Sequence, residues 1–152
     1  MATSSLTLLA ATELAPAIIG PRGSAVRRIS GASGAKIHLS DHIDAFDDRK
    51  CTISGTAEQV LAAYHLVSET LRQAANIPPS APASTRVVVP DAPSLVGEPF
   101  LASLRTKSGA SIASTTAPPP AGAKERLLTI TARAETQVSR SVRLIVDALS
   151  AR

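Results

Sequence analysis

A short motif occurs twice in this chain, and its recurrence constrains the fold more than any other feature of the sequence. Residues 33–37 read Ser-Gly-Ala-Lys-Ile, and residues 108–112 read Ser-Gly-Ala-Ser-Ile. A second pair of related segments follows, because residues 49–53 (Arg-Lys-Cys-Thr-Ile) resemble residues 126–130 (Arg-Leu-Leu-Thr-Ile). Two similar segments that recur in the same order are typical of a duplicated structural unit. We therefore predict two successive units of the same design.

The segment between the two copies is rich in proline. Residues 77–83 read Ile-Pro-Pro-Ser-Ala-Pro-Ala, and proline fixes φ and removes an amide donor. This composition is typical of a stiff linker. The predicted units are therefore residues 1–76 and residues 84–152, with a proline-rich linker at 77–83.

The hydrophobic pattern of the first unit predicts a strand, two helices, two strands and a long helix. Leu6–Leu9 is an extended apolar segment, residues 36–39 alternate so that Ile37 and Leu39 share one side, and residues 50–54 form a further strand. The last segment has apolar residues at helical spacing, at Val60, Leu61, Tyr64, Val67 and Leu71. The order β-α-α-β-β-α predicts an α+β fold in which each unit has a three-stranded antiparallel sheet with three helices on one face.

Four residues are predicted to begin or end these helices. Thr12 is expected to cap a short helix over residues 13–19, and Ser24 is expected to cap the second helix. Gly34 is expected to end that helix in a left-handed conformation. Thr56 is expected to cap the last helix of the unit.

The turn between the two short helices begins and ends with glycine. Residues 20–23 read Gly-Pro-Arg-Gly. Glycine at both ends permits a tight turn and leaves no Cβ between the protein backbone and a ligand. The first amides of the following helix would point at a bound phosphate. Pro21 stiffens the turn but cannot donate a hydrogen bond, so Arg22 supplies its only charge.

The segment around this turn resembles the type I KH family of RNA-binding domains. Residues 17–29 read Ala-Ile-Ile-Gly-Pro-Arg-Gly-Ser-Ala-Val-Arg-Arg-Ile, and the Ser-Gly-Ala-Lys-Ile segment follows in register. The resemblance covers nearly all of residues 4–75 and is to poly(C)-binding, Nova-type and related fungal members. It implies that single-stranded RNA, with a pyrimidine-rich sequence as one candidate, is the partner and that the loop clamps about four nucleotides. It also implies that bases are read in a groove between the helix pair and the adjacent strand.

The resemblance places the nucleic-acid-binding residues on the loop, the two short helices and the neighbouring strands. Lys36 and Arg49 match positions where poly(C)-binding relatives often carry arginines that read base edges. A lysine at position 36 cannot hold two acceptors in one plane as arginine does. The isoleucines and the valine of the set are expected to line the groove. The complete predicted set is Ile18, Ile19, Gly20, Pro21, Arg22, Gly23, Ser24, Val26, Arg27, Ile29, Lys36, Ile37, His38 and Arg49.

The second unit is predicted to be divergent and to lack this loop. Its helical region is four residues shorter than that of the first unit, and its only Gly-x-x-Gly candidate, residues 97–100, ends in Phe100. A ring at that position would block the approach of a phosphate. The unit is expected to dock onto the first unit, onto a partner protein or onto a second copy. Its basic residues leave phosphate binding without a loop open: Arg105, Lys107, Lys124 and Arg126.

Composition disfavours several classes of function. Residues 1–76 carry seven basic and seven acidic side chains, so residues 77–152 supply the whole net charge of +4. Aromatic residues make up 2% of the chain, too few for the stacking platforms of an RRM or OB-fold. Cys51 is the single cysteine, which excludes an internal disulfide. No apolar run has the length of a membrane span and no secretory signal is recognised, so the expected location is the cytoplasm or the nucleus.

No arrangement of residues in the sequence indicates catalysis. We therefore predict that the protein is not an enzyme and uses no cofactor. A metal site is not predicted either, because the four carboxylates of residues 41–48 do not have the spacing of an EF-hand. The expected function is that of an RNA-binding adaptor in mRNA processing, stability, localisation or translation. Two alternatives stay open, a protein-interaction scaffold with weak or no nucleic-acid binding and a binder of single-stranded DNA.

Overall fold

Helices and strands follow one another in two groups along the chain, and the computed structural model describes residues 4–11, 13–39, 49–78, 81–90, 97–116 and 125–150. The N-terminal half contains β1 (Ser4–Ala10), α1 (Ala15–Ile19), a 3₁₀ turn (Pro21–Gly23), α2 (Ser24–Ser33), β2 (Lys36–Leu39), β3 (Arg49–Gly55) and α3 (Ala57–Ala74). The C-terminal half contains β4 (Ala83–Pro90), α4 (Glu98–Ser108), β5 (Ser111–Thr116), β6 (Glu125–Ala132) and α5 (Glu135–Ser150).

All six strands belong to one antiparallel sheet, in the order β2-β3-β1-β4-β6-β5. Each half contributes three strands in the same relative arrangement. The sequence predicted a three-stranded sheet for each unit, whereas in the structure the two join edge to edge. Thr7 pairs with Val88, and Leu8 pairs with Val87. Because β1 and β4 pair with each other, neither is left as an edge strand with exposed, unpaired backbone groups.

One hydrophobic core runs through both halves between the sheet and the helices. The strand residues of β1 that belong to it alternate, at Leu6, Leu8 and Ala10, as expected for a strand with one buried face. Because aromatic residues are rare, the core is built mainly from branched aliphatic side chains. Its largest fully buried members are Tyr64, Leu6, Ile18, Ile29, Ile53, Leu104, Leu128, Ile130 and Ile145.

Tyr64 of α3 connects the two halves by hydrogen bonds. Its hydroxyl donates to the Glu135 carboxylate at the start of α5 over 3.1 Å, and it lies 3.3 Å from the Thr85 hydroxyl in β4. The tyrosine is fully buried. Burial raises the pKa of the phenol above its ordinary range, so it stays protonated and keeps its donor.

The starts of α2 and α3 use different caps. Thr56 caps α3 as predicted, because its hydroxyl accepts from the Gln59 amide at 3.3 Å while the Gln59 side chain accepts from the Thr56 amide at 3.0 Å. The prediction that Ser24 caps α2 is wrong. Ser24 is the first residue of that helix, and Gly23 occupies the cap position in a left-handed conformation without a side-chain hydrogen bond. The predicted cap at Thr12 lies outside the described residues.

The first Ser-Gly-Ala motif forms a compact turn between α2 and β2. The Ser33 hydroxyl donates to the Ile29 carbonyl at 2.7 Å and accepts from the Ala35 amide at 3.2 Å. Gly34 ends α2 with a φ of 79°, as predicted. A Cβ on this glycine would lie 2.8 Å from the side-chain nitrogen of Gln59, so the turn packs against the start of α3.

The second Ser-Gly-Ala motif forms the same turn between α4 and β5. The Ser108 hydroxyl donates to the Leu104 carbonyl at 2.6 Å and accepts from the Ala110 amide at 3.2 Å. Gly109 has a φ of 74°, and a Cβ there would lie 2.9 Å from the side-chain nitrogen of Gln137. The duplicated sequence therefore has a duplicated local structure, including a glutamine behind each glycine.

Candidate nucleic-acid interface

The Gly-Pro-Arg-Gly segment forms a tight turn between α1 and α2. The Gly20 amide donates to the Pro16 carbonyl at 2.9 Å and ends α1, and the Gly23 amide donates to the Gly20 carbonyl at 3.2 Å. Arg22 adopts φ 56° and ψ 28°, a left-handed conformation that residues other than glycine seldom adopt. The Arg22 side chain is exposed at the surface of the turn.

The two glycines of this turn are required for different reasons. Both have positive φ, 73° at Gly20 and 75° at Gly23. A Cβ on Gly20 would lie 2.7 Å from the Cβ of Ala25 and 2.8 Å from its amide nitrogen. The nearest atom to a Cβ on Gly23 would be Nη1 of Arg27, at 3.4 Å. Gly20 is therefore required both because a Cβ would clash and because its φ is positive. Gly23 is required mainly because its φ is positive.

Cationic side chains cluster around the start of α2. Arg22, Arg27 and Arg28 are exposed, and the Arg27 guanidinium lies beside Gly23. The amino end of a helix carries unpaired amides and a partial positive charge. Together these groups form a positive surface at which backbone phosphates can approach without meeting a Cβ at the glycines.

The structure divides the apolar residues predicted to line the groove into two groups. Ile18 and Ile29 have no exposed surface and belong to the core, so their side chains lie below the surface of the groove. Ile19, Val26 and Ile37 are partly exposed. The apolar surface available to a base is therefore narrower than the sequence indicated.

The strand residues of the predicted set lie on β2, an outer strand of the described sheet, and at the start of β3. Lys36 and His38 are exposed on β2, on the side of the strand opposite to Ile37. Arg49 is half-buried and is paired with Ala10 of β1. The edge position leaves Lys36 and His38 accessible to a ligand that passes along β2.

Metal binding, membrane spans and cysteine reactivity can be assessed only in the described part of the chain. Residues 41–48, with their four carboxylates, lie outside it. Within it, no group of three His, Cys, Asp or Glu side chains is arranged to hold a metal ion, and no helix is long and apolar enough to cross a membrane. Cys51 is buried, and this burial raises the pKa of its thiol to about 12, which makes the reactive thiolate scarce.

Residues 97–100, which the sequence offered as the Gly-x-x-Gly candidate of the second unit, form the start of a helix. Gly97 has an extended conformation and caps α4, and the Phe100 amide donates to the Gly97 carbonyl at 3.1 Å. Glu98 and Pro99 occupy the first helical turn, where a carboxylate and a proline are both favoured. Helix α4 therefore begins at the position where the sequence suggested a loop.

The basic residues of the C-terminal half have different environments. Lys107 is exposed on α4, and Arg126 is partly buried in β6. Lys124 lies outside the described residues. The guanidinium of Arg105 is engaged in three hydrogen bonds within the fold. Of the three that the structure describes, Lys107 is the one that is exposed to solvent.

A pocket of about 170 Å³ lies between the two halves and is not predicted by any pattern in the sequence. It forms where β1, α3 and β4 meet, and it is lined mainly by apolar side chains together with Arg72 and Arg86. Arg72 donates to the Pro78 carbonyl at 3.0 Å at the end of α3. The pocket exists only because β1 pairs with β4, a contact that no local pattern encodes.

Comparison with known proteins found similar solved structures and one matching family model. The structure of the whole chain is similar to two crystal structures from Pyrococcus horikoshii OT3. One is an a/eIF2alpha–aDim2p–rRNA complex, with 12% identity over 99% of this chain and 87% of that chain and a TM-score of 0.37. The other is Dim2p, with 13% identity over 97% of this chain and 99% of that chain and the same TM-score of 0.37. The family model for the KH domain matches residues 5–69, and this segment of the chain is a KH domain.

Proposed function

We propose that the protein binds single-stranded RNA through its KH domain, with the Gly20–Gly23 turn holding the backbone of about four nucleotides. The observation that carries this proposal is the turn itself. Two glycines at positive φ remove side-chain bulk at the start of α2, and two guanidinium groups, from Arg22 and Arg27, lie beside it. This combination is suited to a polyanion whose backbone must approach closely.

The surface next to the turn supplies contacts for bases. Ile19, Val26 and Ile37 are partly exposed apolar residues, and Lys36 and His38 stand on the adjoining edge strand. Few cations are involved, so apolar and base-edge contacts must supply much of the binding energy. We therefore propose modest affinity for a short site, with Lys36 and Arg49 as the residues that bias base choice.

We further propose that the protein uses this mode of binding as an adaptor in mRNA processing, stability, localisation or translation. A site for about four nucleotides recognises RNA without changing it. The C-terminal half, which is joined to the KH domain through the sheet and the core, offers a second surface for a protein partner or a second copy.

The proposal is tested by replacing Pro21 and Arg22 together with aspartate. RNA affinity should fall about tenfold or more, because two carboxylates replace the cation that meets phosphate. The matched control is the pair Arg133→Asp and Ala134→Asp, which changes two exposed neighbours directly before α5 by the same total charge. Binding is measured by fluorescence anisotropy with an RNA chosen by in vitro selection.

The control pair should retain most of its affinity, and both variants should unfold at the wild-type temperature. Wild-type affinity in the Pro21/Arg22 variant, with normal unfolding, would exclude the turn as the binding site. A DNA of the same sequence, added as competitor, separates RNA binding from single-stranded DNA binding. If in vitro selection yields no oligonucleotide that binds, the alternative of a protein-interaction scaffold is favoured.

A further inference from the structure

The two outer strands of the sheet, β2 and β5, occupy equivalent places in the two halves. Each follows a Ser-Gly-Ala turn with the same hydrogen bonds, so residues can be matched by their distance from that turn. Ile112 of β5 then corresponds to Ile37 of β2. Arg105 of α4 corresponds to Ser30 of α2, because each stands three residues before the serine of its turn.

The side chains at this pair of helix positions bond differently. The Ser30 hydroxyl donates to the Ala35 carbonyl at 2.7 Å and does not extend beyond the turn. Arg105 reaches past the turn to the edge strand, where its Nε and Nη2 groups donate to the Ile112 carbonyl at 3.2 and 2.9 Å. A backbone acceptor on β5 is thus filled by a side chain from the same half of the protein.

The other end of the same guanidinium is fixed by a carboxylate. Nη1 of Arg105 donates to the Glu98 side chain at 3.0 Å, and Glu98 is the first residue of α4. The two side chains are 37% and 74% exposed. An ion pair this exposed adds little to stability, so the contact can be removed without unfolding the protein.

We propose that Arg105 acts as a built-in plug, which occupies the Ile112 carbonyl and so closes the edge of β5 to nucleobases. This inference rests on the proposed function of the N-terminal half, where Ile37, the residue that corresponds to Ile112, lines the candidate groove. An amino or imino group of a base seeks a carbonyl acceptor, and on β5 Arg105 already supplies the donors. Together with the helical turn at residues 97–100, this plug leaves RNA binding to the KH domain.

The experiment compares the full-length wild type with Arg105→Ser, which installs the residue found at position 30. Each protein is irradiated with single-stranded RNA that contains thiouridine, and crosslinked peptides are mapped by mass spectrometry. Wild-type crosslinks should fall in the KH domain. Arg105→Ser should add crosslinks at residues 108–114, with roughly threefold to tenfold more yield there, the effect of one recovered hydrogen bond. Arg133→Ser, which removes an exposed arginine from the same half, should add none.

A second measurement detects the hydrogen bonds of Arg105 to Ile112 in the absence of RNA. The carbonyl carbon resonance of Ile112 should shift in Arg105→Ser, because its two hydrogen bonds are lost, and should stay in place in Arg133→Ser. The proposed plug would be overturned if the Ile112 resonance did not shift in Arg105→Ser. It would also be overturned if this variant gave normal crosslinks in the KH domain and no new crosslinks on β5. Absence of crosslinks anywhere in the wild type would instead overturn the proposed function. Should Arg105→Ser fail to fold, Arg105→Gln, whose amide is too short to span both partners, gives the same two readouts.

Discussion

At the scale of single residues, Gly20 is the position of the loop with the least freedom to change. Replacing it with alanine should lower the free energy of unfolding by about 1–3 kcal/mol, because the residue has positive φ and its Cβ would meet Ala25 at 2.7 Å. Chemical denaturation measures the change. RNA affinity should fall with it, since α2 must move to admit the methyl group.

Gly31 provides the control for this substitution within the same helix. It is exposed in α2, and a Cβ there would have no atom within 4 Å. Gly31→Ala should therefore raise stability by about 0.5–1 kcal/mol, as expected for a helix interior. Equal effects of Gly20→Ala and Gly31→Ala would contradict the geometry of the turn.

At the scale of elements, the contact of α3 with β4 and α5 depends on Tyr64. Tyr64→Phe should lower the free energy of unfolding by about 1–2 kcal/mol, because it removes the bonds to Glu135 and Thr85 while keeping the ring. Urea denaturation gives the value. Loss of no more than a few tenths of a kcal/mol would show that the hydroxyl is not held between the halves.

The same substitution changes how stability depends on pH. The folded protein holds the phenolic proton because burial raises the pKa of Tyr64, whereas in the unfolded chain the group ionises near about pH 10. The stabilisation is therefore complete below pH 10 and is lost as the pH rises above it. Tyr64→Phe should show a shallower decline than wild type in this range. Parallel curves for the two proteins would contradict the burial of the phenol.

At the scale of the whole molecule, the halves are joined by a strand pair and a shared core. Two fragments made by dividing the chain between residues 78 and 81 should each be less stable than the intact protein. On mixing they should form a complex with one copy of each fragment, because β1 and β4 recover their partner. Analytical ultracentrifugation distinguishes this from two independent domains, which would remain apart with unchanged stability.

The dependence of RNA binding on salt reports how much of the surface is used. Contacts by Arg22, Arg27 and Arg28 should neutralise about two or three phosphates, which predicts a log–log slope of about −1.5 to −2 for a single strand. Titrations at several salt concentrations give this slope. A slope steeper than about −4 would indicate that RNA also follows a basic surface on the C-terminal half.

Local patterns were sufficient for most elements of the N-terminal half. The strand at Lys36–Leu39 has the predicted bounds, β3 extends one residue beyond the prediction at each end, and Thr56 and Gly34 act as predicted. These features depend on neighbours a few residues away. Ser24 was misassigned because Gly23 next to it adopts a left-handed conformation, which a serine at the following position does not reveal.

The sequence by itself determined the KH domain, the shape requirements of its loop and the duplication of the Ser-Gly-Ala turn, since each depends on residues that are close along the chain. Tertiary structure alone decided three further properties. It paired β1 with β4, it buried Ile18 and Ile29 below the candidate groove, and it aimed Arg105 at the edge of β5. The reason is that side-chain burial and edge pairing depend on surfaces brought together by the whole fold, and the same residue types could have met solvent or ligand instead.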